Sequence, residues 1–96
     1  MSAFYFTYGN DEHFPYQDGW SLVLADDYDS AVRAFEIYHP RSKSQYGNIN
    51  CAEIYTSEGF LSTKMATEGN FGARCHEIIK LNRLMFEDTK GGVSHE

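Results

Sequence analysis

Asp27-Tyr28-Asp29-Ser30-Ala31-Val32-Arg33-Ala34-Phe35-Glu36-Ile37-Tyr38-His39-Pro40 reads as a helix with both ends marked. Asp27 is a good N-cap, because a side-chain oxygen there accepts from the orphan N–H groups of the first turn. Asp29 adds a carboxylate where the helix dipole favours one. Ala31, Val32, Phe35 and Tyr38 recur at helical spacing, with Ala34 beside them, and form one apolar stripe. Arg33 and Glu36 fall on the other side. Pro40 disfavours helical geometry at His39 and cannot continue the helix. A lone helix this short is marginal in water, so its stripe must dock on a sheet.

The flanking segments supply that sheet. Upstream, Trp20 to Ala25 alternates Trp20, Leu22 and Leu24 with Ser21 and Val23, a strand pattern. Before it, Ala3 to Tyr8 places Phe4, Phe6 and Tyr8 on one side and Tyr5 and Thr7 on the other, which suits a central strand covered on both faces. Between them Asp11 to Gly19 is a loop holding His13, Phe14, Pro15, Tyr16 and Asp18. Its two rings either fold back as a lid on the core or form a contact surface. Downstream, Arg41 to Gly47 is a polar, basic link, and Asn48 to Thr56 reads as a third strand. Ser57 opens a helical stretch through Phe60, Leu61, Lys64 and Met65, broken at Glu68-Gly69-Asn70. A turn over Gly69-Asn70-Phe71-Gly72 follows. Arg74 to Leu81 fits a strand or a helix, and β-branched Ile78-Ile79 favours the strand. Leu84 to Phe86 is expected to pack locally. The order is β-β-α-β-α-β: one α+β domain over residues 1–87, a mostly antiparallel sheet with helices packed on one face, and a flexible tail at 88–96.

The 96 residues bury a modest core, roughly 60–70% of the unfolded surface. Aromatic residues make up 16%, so rings carry much of the packing. Fourteen acidic against eight basic residues leave a formal charge of −6, which argues against a basic nucleic-acid footprint. That charge fits a solubilising surface or an acidic face for a basic partner groove. No apolar run approaches a membrane span, no signal-peptide pattern opens the chain, and Cys51 and Cys75 are expected as reduced cytosolic thiols.

Chemistry-bearing motifs are sparse. Cys51, Cys75, His13, His39 and His76 have no paired metal-ligand spacing, and adjacent Cys75 and His76 diverge on a strand, so neither a metal nor another cofactor is expected. Cys51 or Cys75 with His76 or His13 could make a thiolate pair, but both cysteines also read as small core hydrophobes, and Glu77 beside His76 adds little because neighbours on a strand diverge. Asp11-Glu12 and Asp26-Asp27 read as surface or capping carboxylates, and no phosphate-cradling loop is present.

One set of motifs is nevertheless specific: Tyr5-Phe6-Thr7-Tyr8-Gly9, Phe14-Pro15-Tyr16, Gly19-Trp20, Ala31 with Phe35, Asn50-Cys51-Ala52, Tyr55-Thr56, Gly69-Asn70 and Cys75-His76-Glu77. As a set it resembles a family of small proteins of phages, prophages and mobile elements of Gram-positive bacteria, over the chain up to about Leu81. The resemblance implies a small protein acting in the bacterial host cytoplasm. By analogy it suggests an inhibitor of host defence, of the anti-CRISPR kind. The expected function is thus a non-enzymatic acidic binding protein that blocks a functional, nucleic-acid-binding surface of a defence protein or nucleoprotein complex. No direct nucleic-acid or membrane contact is expected. Its contact loop is expected at Asp11, Glu12, Phe14, Tyr16 and Asp18. The alternative is a small enzyme or ligand-binding module built on Asn50, Cys51, Cys75, His76 and Glu77. A homo-oligomer burying its rings between copies is a third reading.

Overall fold

The computed structural model describes residues 1–44, 47–70 and 73–81. The expected local packing of Leu84 to Phe86, the tail at 88–96, and Phe71 and Gly72 of the expected turn lie outside these residues, as does Gln45 of the link. The elements are β1 (Ser2–Thr7), β2 (Trp20–Ala25), α1 (Tyr28–Tyr38), β3 (Ser42–Ser44), β4 (Gly47–Ile49), β5 (Glu53–Thr56), α2 (Ser57–Leu61), α3 (Lys64–Glu68) and β6 (Cys75–Lys80). This is an α+β domain. Its main sheet runs β5-β1-β2-β6, with β3 and β4 as a separate hairpin. β1 pairs antiparallel with both β2 and β5, while β6 joins β2 in parallel.

Helix α1 forms as its ends dictate. Asp27 accepts from Ser30 N at 2.8 Å, and that bond holds its carboxyl below the usual carboxylate range. Ala31, Ala34 and Phe35 are buried against the sheet, and Phe35 stacks on Phe6 at 4.3 Å between ring centroids. Tyr38 departs from the expected stripe, at 54% exposed. The chain leaves helical geometry at His39, and the His39 ring turns inward over Phe35 instead, 5.0 Å away. In β2 the helix-facing side is Ser21, Val23 and Ala25, all without exposure. Small residues there let α1 approach closely, while Trp20, Leu22 and Leu24 face the other way, as strand alternation requires.

Three local expectations change in detail. The third strand is split, because buried Asn50 turns its carboxamide to the His39 carbonyl (2.9 Å) and interrupts the extended run between β4 and β5. The basic link contributes β3 to a hairpin with β4. The second helical stretch is two short helices, because Thr63 caps α3 by accepting from Ala66 N. Gly69 then ends α3 in the left-handed region at φ 70°, as a C-cap glycine does. The helices also do not share one face. Phe60 of α2 packs on the side opposite α1, stacked on Tyr5 at 4.0 Å and edge-on to Trp20 at 4.9 Å. β1 presents rings on both sides, so each face of the sheet needed its own cover.

Truncating Phe35 removes a fully buried ring. Phe35→Ala is expected to cost about 3–5 kcal/mol in urea denaturation, whereas Tyr38→Ala stays within about 0.5 kcal/mol of the parent.

Candidate functional site

The polar centre of the molecule lies where β6, β2, the end of α1 and the loop between β1 and β2 meet. Its geometry starts from a register shift. Trp20 pairs with Cys75 and Ser21 with Glu77, so two residues of β6 span one step of β2. Such a bulge re-aims side chains that would otherwise alternate. Here it brings neighbouring His76 and Glu77 to the same loop residue. The Tyr16 ring stacks on His76 at 4.5 Å and 6°, and the Tyr16 hydroxyl donates to Glu77 Oε1 at 3.4 Å. The divergence expected of His76 and Glu77 on a regular strand is thereby overturned.

Glu77 is the hub. Ser21 Oγ donates to Oε2 at 2.7 Å, and His39 Nε2 donates to the same oxygen at 2.5 Å. A carboxylate only accepts, so the Ser21 proton is committed to it and the Tyr8 hydroxyl donates to Ser21 Oγ at 2.7 Å. The result is a chain from Tyr8 through Ser21 to Glu77, closed on the far side by His39. Asn50 steadies His39 through its carbonyl. Burial, and after it the Glu77 charge, push the Tyr8 phenol well above its ordinary range, although the Ser21 bond opposes them. Tyr16 is raised by the same two causes, burial first.

The loop folds as a self-braced unit over this cluster. Its neck is closed by Asp18 N donating to Gly9 O (2.9 Å) and Tyr8 N to Gly19 O (3.1 Å). The Gln17 amide donates to the carbonyls of Asp11 and Phe14. Asp18 and Gly19 adopt φ of 60° and 72° in succession, a left-handed corner that Asp tolerates and Gly prefers. His76 Nε2 donates to the Asp18 carbonyl at 2.6 Å and fixes that corner. Of the five expected contact residues, Phe14 and Tyr16 pack against the core as a lid. Asp11 accepts from His13 N and Nδ1, both at 2.8 Å, which lowers its carboxyl pKa. Glu12 and Asp18 remain exposed.

The expected Cys/His set divides. His76 and Glu77 are in the cluster, and Asn50 supports it. Cys51 instead lines two adjoining clefts of about 340 and 200 Å³, shared with Ile49. Burial pushes its thiol up to about 11, against the pull of the Arg41 guanidinium. Cys75 is exposed, and its Sγ donates to the Glu77 carbonyl at 3.1 Å. Among the described residues no hydrogen bond joins either thiol to an imidazole, and no group of three or more His, Cys, Asp or Glu has metal-binding geometry. Tyr8, Ser21 and His39 were missed as site residues. Two signals pointed to Ser21 and His39, a serine among apolar strand residues and a histidine four positions after Phe35, while Tyr8 read only as a core ring.

Chemically the cluster holds an oriented imidazole–carboxylate pair. Ser21, wholly buried and with its proton committed, is closed to a nucleophilic role. Comparison with protein-family models, curated proteins and solved structures finds no match to this chain.

Two outcomes follow from the geometry. A disulfide reagent at pH 8 is expected to modify one thiol fast. Cys75→Ala removes that phase, Cys51→Ala keeps it, and denaturant releases the second thiol. Unfolded tyrosine ionises near pH 10, whereas folded Tyr8 resists ionisation. The stability carried by that difference is complete below about pH 10 and falls as pH rises above it. Urea denaturation across pH 8–11 checks this, and Tyr8→Phe is expected to flatten the slope.

Proposed function

We propose that this chain is an acidic, non-catalytic binding protein of phage or mobile-element origin, acting in the bacterial host cytoplasm. It inhibits a defence complex, in the anti-CRISPR manner, by occupying a basic nucleic-acid-binding surface. One observation carries the reading. Glu58, in α2, lines a cleft of about 600 Å³ at one end of the sheet with Met1, Ser2, Phe4 and Leu24, and at that same end β2 runs into Asp26, Asp27 and Asp29 at the start of α1. Met1 and Tyr28 stand exposed at the same end, at 67% and 51%. Carboxylates around exposed apolar and aromatic side chains suit a basic protein groove, and charge of this sign gives steering and selectivity. The contact surface moves accordingly from the loop at Asp11–Asp18, whose rings are spent on the core, to this end. Among the described residues no helix is long and apolar enough to cross a membrane.

A second reading, a small ligand-binding or enzymatic module, is favoured by the bulge that aims His76 and Glu77 at one loop residue, since bulges recur beside active sites.

Charge reversal separates the surfaces. Asp26→Lys, Asp29→Lys and Glu58→Lys together, with the Asp27 cap left intact, are expected to relieve inhibition in a phage-interference assay by about tenfold or more. Glu12→Lys is expected to leave inhibition unchanged. Relief by Glu12→Lys alone would return the contact to the loop, and wild-type protein without inhibitory effect would remove the reading.

A further inference from the structure

We infer that the His76–Glu77 face is a binding site for a small neutral or cationic aromatic ring carrying an N–H or O–H donor, and that Tyr16 occupies it as an internal stand-in. The inference deepens the ligand-module reading and rests on it. Oε2 of Glu77 is filled by Ser21 and His39, which takes up its two lone pairs. Among the described residues Oε1 holds only the Tyr16 hydroxyl at 3.4 Å, well beyond the 2.5–2.7 Å usual for a hydroxyl on a carboxylate. That oxygen is fixed in place by its neighbour and weakly used. Beside it lies the flat face of His76, at present covered by the Tyr16 ring.

Tyr16 therefore displays the chemistry the site takes: a planar ring to stack, with a donor at its rim. It does so from a loop that can lift as one piece, because Gln17 and the Phe14 N–H brace the loop to itself at the Asp11 and Phe14 carbonyls. The left-handed corner at Asp18 and Gly19 marks one end of that piece. A ligand whose donor reaches Oε1 at normal length gains what Tyr16 forgoes, and stacking on an aromatic face tolerates many ring types. The carboxylate and the −6 chain charge exclude anionic rings. While Tyr16 is in place, apparent affinity is reduced by the closed fraction.

The test follows the histidine ring signals by NMR during titration with tyramine, adenosine and benzoate, for wild type, Tyr16→Ala, Tyr16→Phe and Tyr16→Ala with Glu77→Gln. Tyr16→Ala is expected to bind tyramine or adenosine saturably, about tenfold or more tighter than wild type, with His76 shifting most. Tyr16→Phe, which keeps the stack and the fold, gains a smaller, few-fold increase and carries the test if Tyr16→Ala does not fold. Adding Glu77→Gln removes the gain, and benzoate binds none of the variants. No saturable binding in the Tyr16 variants, or binding indifferent to Glu77→Gln, overturns the inference. Equal binding of a non-aromatic amine such as putrescine overturns the ring assignment while leaving the ligand-module reading standing.

Discussion

A carboxylate held between a sheet and a helix must be surrounded by donors, and Glu77 imposes that condition on this molecule. Leaving such a group partly unsatisfied costs more than a typical hydrogen bond gains. The donors come from β2, from the residue that caps α1, and from the loop between β1 and β2. One side chain on an edge strand thereby ties together segments far apart in the chain. The apolar contacts of Phe6 and Phe35 hold α1 on the sheet, but they do not select its angle or the course of the loop. The Glu77 bonds add that selection, because His39 reaches Oε2 only if the last turn of α1 lies over β6.

The sheet's two ends differ in consequence. At one end the loop rings are drawn down onto Tyr8, His39 and His76, so aromatic surface is spent internally. At the other end Met1 and Tyr28 stand exposed among the described residues, and Glu58 lines a cleft with Met1. A protein of this size cannot bury every ring it carries. Where it leaves them uncovered is informative, because exposed aromatics beside charge are what a partner surface uses.

The frame of this fold was legible in the residues, and its centre was not. Asp27, the Ala31–Phe35 spacing and Pro40 bounded α1 to within a residue, alternation located β1 and β2, and β-branched Ile78-Ile79 decided β6 where the spacing fitted strand and helix alike. Each of those signals is local, and local physics suffices for them. The break at Asn50 was hidden because its cause is a carbonyl eleven residues away. Two-sided cover of the sheet was implicit in Tyr5 and Phe6 but does not say which helix goes where. The bulge at Cys75–His76 left no mark at all, since it arises from how β6 meets Trp20 and Ser21, and alternation alone assigned His76 and Glu77 to opposite faces. His39 read as a helix terminator, which it is; its second role depends on a residue 38 positions later.

Parallel pairing of β6 with β2 has a bearing on synthesis. A parallel partner cannot arrive by a tight turn, and here the whole of α1, the β3–β4 hairpin, β5 and the two short helices intervene. Contacts of such long separation form late and slowly. A nascent chain therefore leaves the ribosome with β1, β2 and α1 able to meet while Ser21 and His39 still face water in place of their acceptor. Docking of β6 both completes the main sheet and assembles the polar centre, so a chain stopped short of that strand would lack both together.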